Sequence, residues 1–487
     1  MIGAPVWDRY VTGFISSLTP TAQIPPTEVW NGPVYQFAGY GDMLREFVTP
    51  DFMRPFALLA LLEQENGGQT EHLNAARWFT INVPTGGPGT LLSRVSDPWT
   101  WGAQGSILYF LLFDPSAPAP TDPRPIYPTL FYDAPAARIV AHSDWTPNGT
   151  IFDYKASWTS INHQDNTGGQ FELFRKGEWL TKEMSNYDNN GVGNTTVYHN
   201  TLALQNWCVN GTPATLQWDE PGEWTNGSQW MWGASAGDPT TIISSGAGYV
   251  YASSDLTKMF NRPSDPNDAA MDVLQATRSI VWLNDVAGGD YIVVYDRATT
   301  QHSGLFKRFN LSLVTAPVTQ TGVNGATITT ETMGDGQQLF IQTLLPQNAA
   351  AGYINGAQNL NPIAELEPTQ FIYTVQDSSN PADTRFLHVL QGADSGVAMV
   401  PASYVQSTSG TAFDGAVFGS NAVFFPVSSS TPFGGLTVTV PATVHTVMVA
   451  GLTPNAGYTA TVSNGVVTII VGGASTADSA GLLTVTF

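Results

Sequence analysis

Apolar residues recur at three- and four-residue spacing in the first part of the chain and alternate with polar ones in the rest. Met43 to Phe47, Phe56 to Glu65 and His72 to Phe79 carry the helical spacing. Pro55 suits a first helical turn and Gly67-Gly68 a stop. Ile107 to Phe113 reads as a last buried helix closed by Asp114-Pro115. Prolines at 115, 118, 120, 123, 125 and 128 then predict a stiff, extended linker. From Ala137 onward short segments with period-two alternation are separated by Gly, Asn, Asp and Pro. Ile151 to Ala156, Gln170 to Phe174, Tyr291 to Tyr295 and Leu305 to Leu313 read as strands, with Lys176-Gly177 as a hairpin turn. A single short helix is expected near Ala269 to Ala276. Leu436 to Val440 and Gly465 to Val471 read as strands of a small accessory unit.

This pattern predicts an α+β chain of four parts. They are a helical region over 1–115, a linker over 116–136, a large antiparallel β-sandwich over 137–400 and a small β unit over 401–487. A length of 487 residues suits about two to four domains. With 18 basic and 39 acidic residues the net charge is -21, which argues against general nucleic-acid binding. Charged residues are only 12 % of the total, so each one inside a strand is informative. The lone Cys208 excludes an internal disulfide framework and a cysteine-rich zinc module. No apolar run reaches the length of a membrane span. Few Lys, one Cys and much Asn, Thr and Gly suit a secreted or periplasmic protein whose leader is absent from this chain. The oligomeric state is not encoded in any of these features.

The chemistry gathers in Ser160-Ile-Asn-His163-Gln-Asp165-Asn-Thr167-Gly-Gly169-Gln-Phe171, then Gly177 to Glu183, then Tyr198-His199-Asn200-Thr201. In extended backbone His163 and Asp165 face the same side. Strands on either side of the Lys176-Gly177 hairpin bring Asp165, Glu183 and His199 toward one end of the sheet. One histidine with two carboxylates suits a single divalent cation such as Zn²⁺, Mn²⁺ or Ca²⁺. His72, His142, His302, His388 and His445 read as structural. No phosphate loop, dinucleotide fingerprint or nucleophile elbow is present. Asp153, Glu172 and Glu178 are available as carboxylates for a glycoside hydrolase, but nothing in their spacing recommends a pair.

These residues resemble a heparinase II/III-like polysaccharide lyase. The family pattern His-x-His-x-Asp-x-Gly-x-Phe falls on His163, Asp165, Thr167, Gly169 and Phe171, and the next carboxylate on Glu183. His199-Asn200-Thr201 matches the family's His-Asn-Thr strand. Arg138 with Ser143-Asp144-Trp145, Val293 to Arg297, Phe306 to Phe309 and Tyr40-Gly41-Asp42 add flanking matches over roughly residues 1 to 395.

The resemblance implies part of an (α/α) toroid ahead of the sandwich. It implies β-elimination on an anionic, uronate-containing polysaccharide, with His163 central and Tyr198 or Tyr187 as proton-transfer partner. His199 serves catalysis or, with Asp165 and Glu183, holds a metal. Tyr40, Arg308, Trp158 and Asn162 are the candidate substrate contacts. Asp165 and Thr167 depart from the family's histidine and aspartate, which points to a harder, oxygen-rich cation site or to none. The family's helical Asn-His pair has no counterpart in residues 1 to 115. That absence keeps a second expectation open: a non-catalytic or degenerate carbohydrate-binding sandwich.

Overall fold

The computed structural model describes residues 5–22, 35–38, 70–83, 118–134, 136–156, 166–184, 195–205, 208–209, 212–213, 227–229, 242–261, 272–321, 327–334, 336–355 and 369–487. Expectations at Tyr40, Trp158, Asn162, His163, Asp165 and Tyr187 lie outside these residues, as do the helices expected over 43–47, 56–65 and 107–113.

The alternating segments form antiparallel sheets, as expected for a β-sandwich. Sheet A runs in chain order through Leu130–Asp133, Arg138–His142, Thr150–Lys155, Gln170–Arg175 and Glu178–Thr181. Sheet B has the order Ala349–Asn355, Phe371–Asp377, Lys307–Leu313, Leu202–Leu204. Sheet C has eight strands, with Gln337–Leu345, Asp383–Asp394, Gly289–Thr300 and Val273–Val286 at its centre.

Sheet C is buried on both sides. Ile280, Trp282, Ile292 and Val294 share one core with Phe152, Tyr154 and Phe171 of sheet A and Phe309 and Leu311 of sheet B. The alternate residues Val281, Tyr291, Val293 and Tyr295 share a second core with Phe418, Val423 and Phe425. Those last three belong to sheet D (Ala402–Gln406, Phe413–Phe418, Asn421–Pro426, Thr446–Val449 and Leu483–Thr486), whose other face packs Phe424 and Val447 against Leu436, Val467 and Ile469 of sheet E (Ser409–Gly410, Leu436–Thr439, Val466–Val471, Gly457–Ser463 and Ser475–Thr476). The C-terminal unit is therefore itself a two-sheet sandwich seated on the outer face of sheet C.

Two longer helices, Pro5–Ser16 and Thr70–Asn82, pack together through Val11, Ile15, Ala75, Ala76 and Phe79. The second contains the helix expected over His72 to Phe79. The described residues do not extend these two helices into a toroid. The short helix expected near 269–276 is corrected over its described part: residues 273–276 open the strand Val273–Val286, and among the described residues nearby the helical turn is Thr257–Phe260, while 269–271 lie outside the described residues. Pairing with Ala298–Thr300 of the neighbouring strand overrides the local helical spacing there.

One buried ion pair ties the layers together. Arg278 and Asp296 sit opposite each other on neighbouring strands of sheet C, both fully buried. Arg278 Nε and Nη2 donate to the two Asp296 oxygens at 2.7 Å each. Its Nη1 crosses the core to donate to Gly169 O at 2.6 Å and Asn200 O at 2.7 Å. Gly169 has φ +82°, and a Cβ there would lie 2.7 Å from Leu256 Cδ1 and 2.9 Å from Thr201 Oγ1. Only glycine fits that turn without displacing its neighbours.

Two predictions follow from these buried groups. Arg278→Ala strands the Asp296 carboxylate and two carbonyls without donors, so it lowers unfolding free energy by about 3–5 kcal/mol, measurable by urea denaturation. Glu331 is buried and accepts N–H bonds from Val314 and Thr315 at 3.0 Å each, yet burial pushes its carboxyl up to about 8. The folded chain then holds that proton where the unfolded chain, near 4.5, releases it. Its contribution is therefore present below about 4.5 and is lost as pH rises toward about 8. Glu331→Gln flattens that slope when denaturation midpoints are compared across this range.

Candidate functional site

The face of sheet A away from the main core is charged. Strand alternation puts Arg138, Asp153, Lys155, Gln170 and Glu172 on it, opposite Ile139, Phe152, Tyr154, Phe171 and Leu173. Asp153 pairs in register with Glu172, and Lys155 with both Arg138 and Gln170. Such a row normally faces water, but here it is covered: Asp153, Lys155, Glu172, Lys182 and Glu183 are each 2 % exposed or less.

Every charge in this row has company. Arg138 Nε donates to Asp153 at 2.8 Å, and its Nη2 to Ala38 O at 2.9 Å. Lys155 Nζ donates to Thr167 Oγ1. Lys182 Nζ donates to Glu183 O at 2.7 Å, and Glu183 N donates to Glu172 at 3.1 Å. Burial pushes the Asp153 carboxyl up to about 6 against the pull of Arg138. Glu183 goes the other way. Burial alone raises it, but His199, Lys155 and Lys182 together hold it below the usual carboxylate range.

His199 follows the tight turn Thr196–Tyr198, which is pinned by Thr196 Oγ1 donating to Asn166 O at 2.9 Å. Its Nδ1 lies 3.5 Å from Glu183 Oε2, too long for a well-made hydrogen bond. Glu183 Oε1 and both ring nitrogens are buried without a hydrogen-bond partner. The expected meeting of Glu183 and His199 is thus present in the structure. Among the described residues no group of three His, Cys, Asp or Glu forms a metal cluster. Tyr198, 5 % exposed, packs with Met184 and Ile372.

Arg308 stands apart. It donates to Gln376 at 2.8 Å and lies 3.9 Å above the Phe306 ring. It is four strand residues, about 13 Å, from Ser312, whose Oγ donates to Tyr198 O. Asp153 and Glu172 do face each other across the sheet, although spacing alone gave no reason to pair them. Each is already committed, to Arg138 and to the Glu183 N–H. Glu178 is at the far end of its hairpin, accepting from Gln337 N at 3.0 Å.

Sequence reasoning missed two organising residues. Asn200 N donates to Gln170, its Nδ2 donates to Phe171 O and Thr181 Oγ1 at 2.7 Å, and its Oδ1 accepts from Ser312 N at 2.6 Å. Every polar atom of that amide is used to join sheet A to sheet B. Arg278 is the other. The available signal was its position: a charge inside a strongly apolar strand of a chain with few charges.

The arrangement offers a buried imidazole beside a carboxylate, backed by two ammonium groups. His163 and Asp165 fall in the stretch 157–165, between Ala156 and Asn166. Both ends are fixed beside this group, since Gly169 N donates to Lys155 O at 2.7 Å.

No protein-family model and no curated protein matches the chain. Among solved structures it is similar to the heparan sulfate lyase HepC from Pedobacter heparinus, at 16 % identity and a TM-score of 0.45, over 78 % of this chain and 58 % of that one. It is also similar to a heparinase III, at 12 % identity and a TM-score of 0.45, over 77 % and 58 % of the two chains. A heparinase III gene product aligns at 10 % identity and a TM-score of 0.45, over 85 % and 59 %. The chain spans less than two thirds of the length of each. The likeness is distant, and neither an activity nor a site residue follows from it.

Proposed function

We propose that this protein is a polysaccharide lyase that cleaves an anionic, uronate-containing polysaccharide by β-elimination. The observation that carries the reading is the Glu183–His199 pair at the end of a charged sheet face, beside both anchors of the segment containing His163.

Elimination needs three things done together. The uronate carboxylate must be neutralised, which acidifies the proton on C5. A base must take that proton, leaving its electron pair to form the C4–C5 double bond. As the C4–O bond breaks, the leaving oxygen must receive a proton. In this reading His163 neutralises the carboxylate or takes the proton, and Tyr198 or Tyr187 exchanges protons with it. His199 and Glu183 are too buried to meet a polymer directly, so they position the segment around His163. Tyr40, Trp158 and Asn162 contact sugar rings, and Arg308 is a more remote substrate contact.

The reading includes a divalent cation on Asp165, Glu183 and His199. The unpaired Glu183 Oε1 and His199 Nε2 are the kind of donor atoms a cation takes up. Bound there, it would add positive charge near the substrate carboxylate. A uronate glycan as substrate puts the protein outside the cytoplasm, and none of the described helices is long and apolar enough to cross a membrane. The second reading, a carbohydrate-binding sandwich without turnover, rests on the dense burial of the charged row.

The test is ultraviolet absorbance of the unsaturated uronate product over alginate, heparan sulfate, chondroitin and hyaluronan, with and without added Zn²⁺, Mn²⁺ or Ca²⁺. The reading expects absorbance to rise with one glycan and to fall at least about a hundredfold in His163→Ala, with native circular dichroism retained. Binding without product on every glycan supports the second reading. A saturated product contradicts both.

A further inference from the structure

Sheet B ends in a long, open edge strand. Ala349–Asn355 pairs with Phe371–Asp377 along its whole length without a bulge, and no strand of the sheet lies beyond it. Every second residue of such a strand turns its N–H and C=O to the open side. Among the described residues, none of its backbone groups bonds elsewhere. Protein edges are usually blunted by brevity, lysine, proline, a bulge or a covering element. Other edges here follow that rule. Sheet E is bounded by two-residue strands, and the opposite edge of sheet B, Leu202–Leu204, has three residues, all buried. Ala349–Asn355 has seven residues, with no charge and no proline, and is exposed from Gly352 onward.

Its side chains leave apolar surface on both faces. Ala349 and Ala351 pack against the main core. Tyr353 continues that row outward, 47 % exposed, with its ring edge-on to Phe371 at 5.8 Å. On the other face Ile354 is 53 % exposed, paired with the buried Ile372. A Cβ at Gly352 would meet nothing within 4 Å.

The strand is also complementary to itself. Laid antiparallel against a second copy about a two-fold axis through Gly352, it sets Tyr353 opposite Ala351 and Ile354 opposite Ala350. A large side chain meets a small one at each place, on both faces, and the glycines meet at the axis. An isologous contact requires such self-matching, whereas capture of a foreign strand does not. Each copy carries a net charge of -21, so a seam between two copies must be free of charge, as this one is. We propose that this edge joins two copies of the chain, continuing sheet B from one protomer into its partner. The seam is about 24 Å long, which puts the dimer among small, reversible interfaces. The proposal rests on neither the Glu183–His199 pair nor the elimination chemistry.

The test is sedimentation velocity of the full chain up to about 200 μM, high enough to populate an interface of this small class. The chain forms a reversible dimer, and Ile354→Lys, at an exposed position, weakens it at least about tenfold by setting an ammonium group against the partner strand. Cysteine pairing reads the register. The two Gly352 Cα atoms come to about 4.5–5.5 Å, within disulfide range, so oxidised Gly352→Cys becomes a covalent dimer. Ala350→Cys faces Ile354 instead, about 13 Å along the strand from its own counterpart, and stays unlinked. The parent chain, whose one cysteine is Cys208, is the control. If Ile354→Lys does not fold, the two cysteine variants decide. The inference is overturned if the chain stays monomeric over this range, whether or not it takes up an added extended peptide. It is also overturned if folded Ile354→Lys dimerises as the parent does, or if the two cysteine variants cross-link alike.

Discussion

The Arg278–Asp296 pair is the constraint on which the rest of the structure depends. A guanidinium buried between sheets is expensive to dehydrate, and one carboxylate returns only part of that cost. Here the remaining donor is spent on two carbonyls of the opposing layer, Gly169 O and Asn200 O. These belong to the two turns that carry the candidate chemistry: one follows the His163 segment, the other follows His199. The apolar core holds sheets A and C together without direction, since dispersion and water exclusion have no preferred register. Arg278 supplies direction. It fixes where along sheet C the two turns sit, and Asn200 then fixes how sheet A meets sheet B.

From that point the charged row becomes intelligible. Its lysines and carboxylates are buried. Once buried, each must find a partner or lose its charge. Lys155 to Thr167, Lys182 to Glu183 O and Arg138 to Asp153 are those partnerships. Glu183 and His199 retain unpaired atoms within this set. Unpaired buried polar atoms are costly, and their persistence is what recommends the pair as functional.

Local features were legible in the sequence. Gln170 to Phe174 and the return strand after Lys176-Gly177 could be read because the turn needs two consecutive positive φ angles, and the chain adopts +46° and +100° there. The layer order could not be read. Tyr291 to Tyr295 is apolar at every position, so alternation cannot tell which residue faces sheet A and which faces sheet D. The run through Ala276 reads helical because its neighbours space apolar residues that way; only the strand it pairs with says otherwise. Asp153 and Lys155 alternate as a solvent-facing row would, and nothing local reveals that the face is covered. Glu183 and His199 were legible as a pair because the hairpin returns Glu183 toward the end of the sheet where His199 opens a further strand, Leu202–Leu204.

One buried arginine, Arg278, holds both turns that carry the candidate chemistry. Hydrogen–deuterium exchange on Arg278→Lys tests it most directly, because an ammonium keeps the charge but cannot reach Asp296 and both carbonyls together. The account predicts that amides of 166–170 and 199–201 lose protection together, while those of sheets D and E exchange as in the parent chain. Unchanged protection in both turns, or loss in one turn alone, would contradict it.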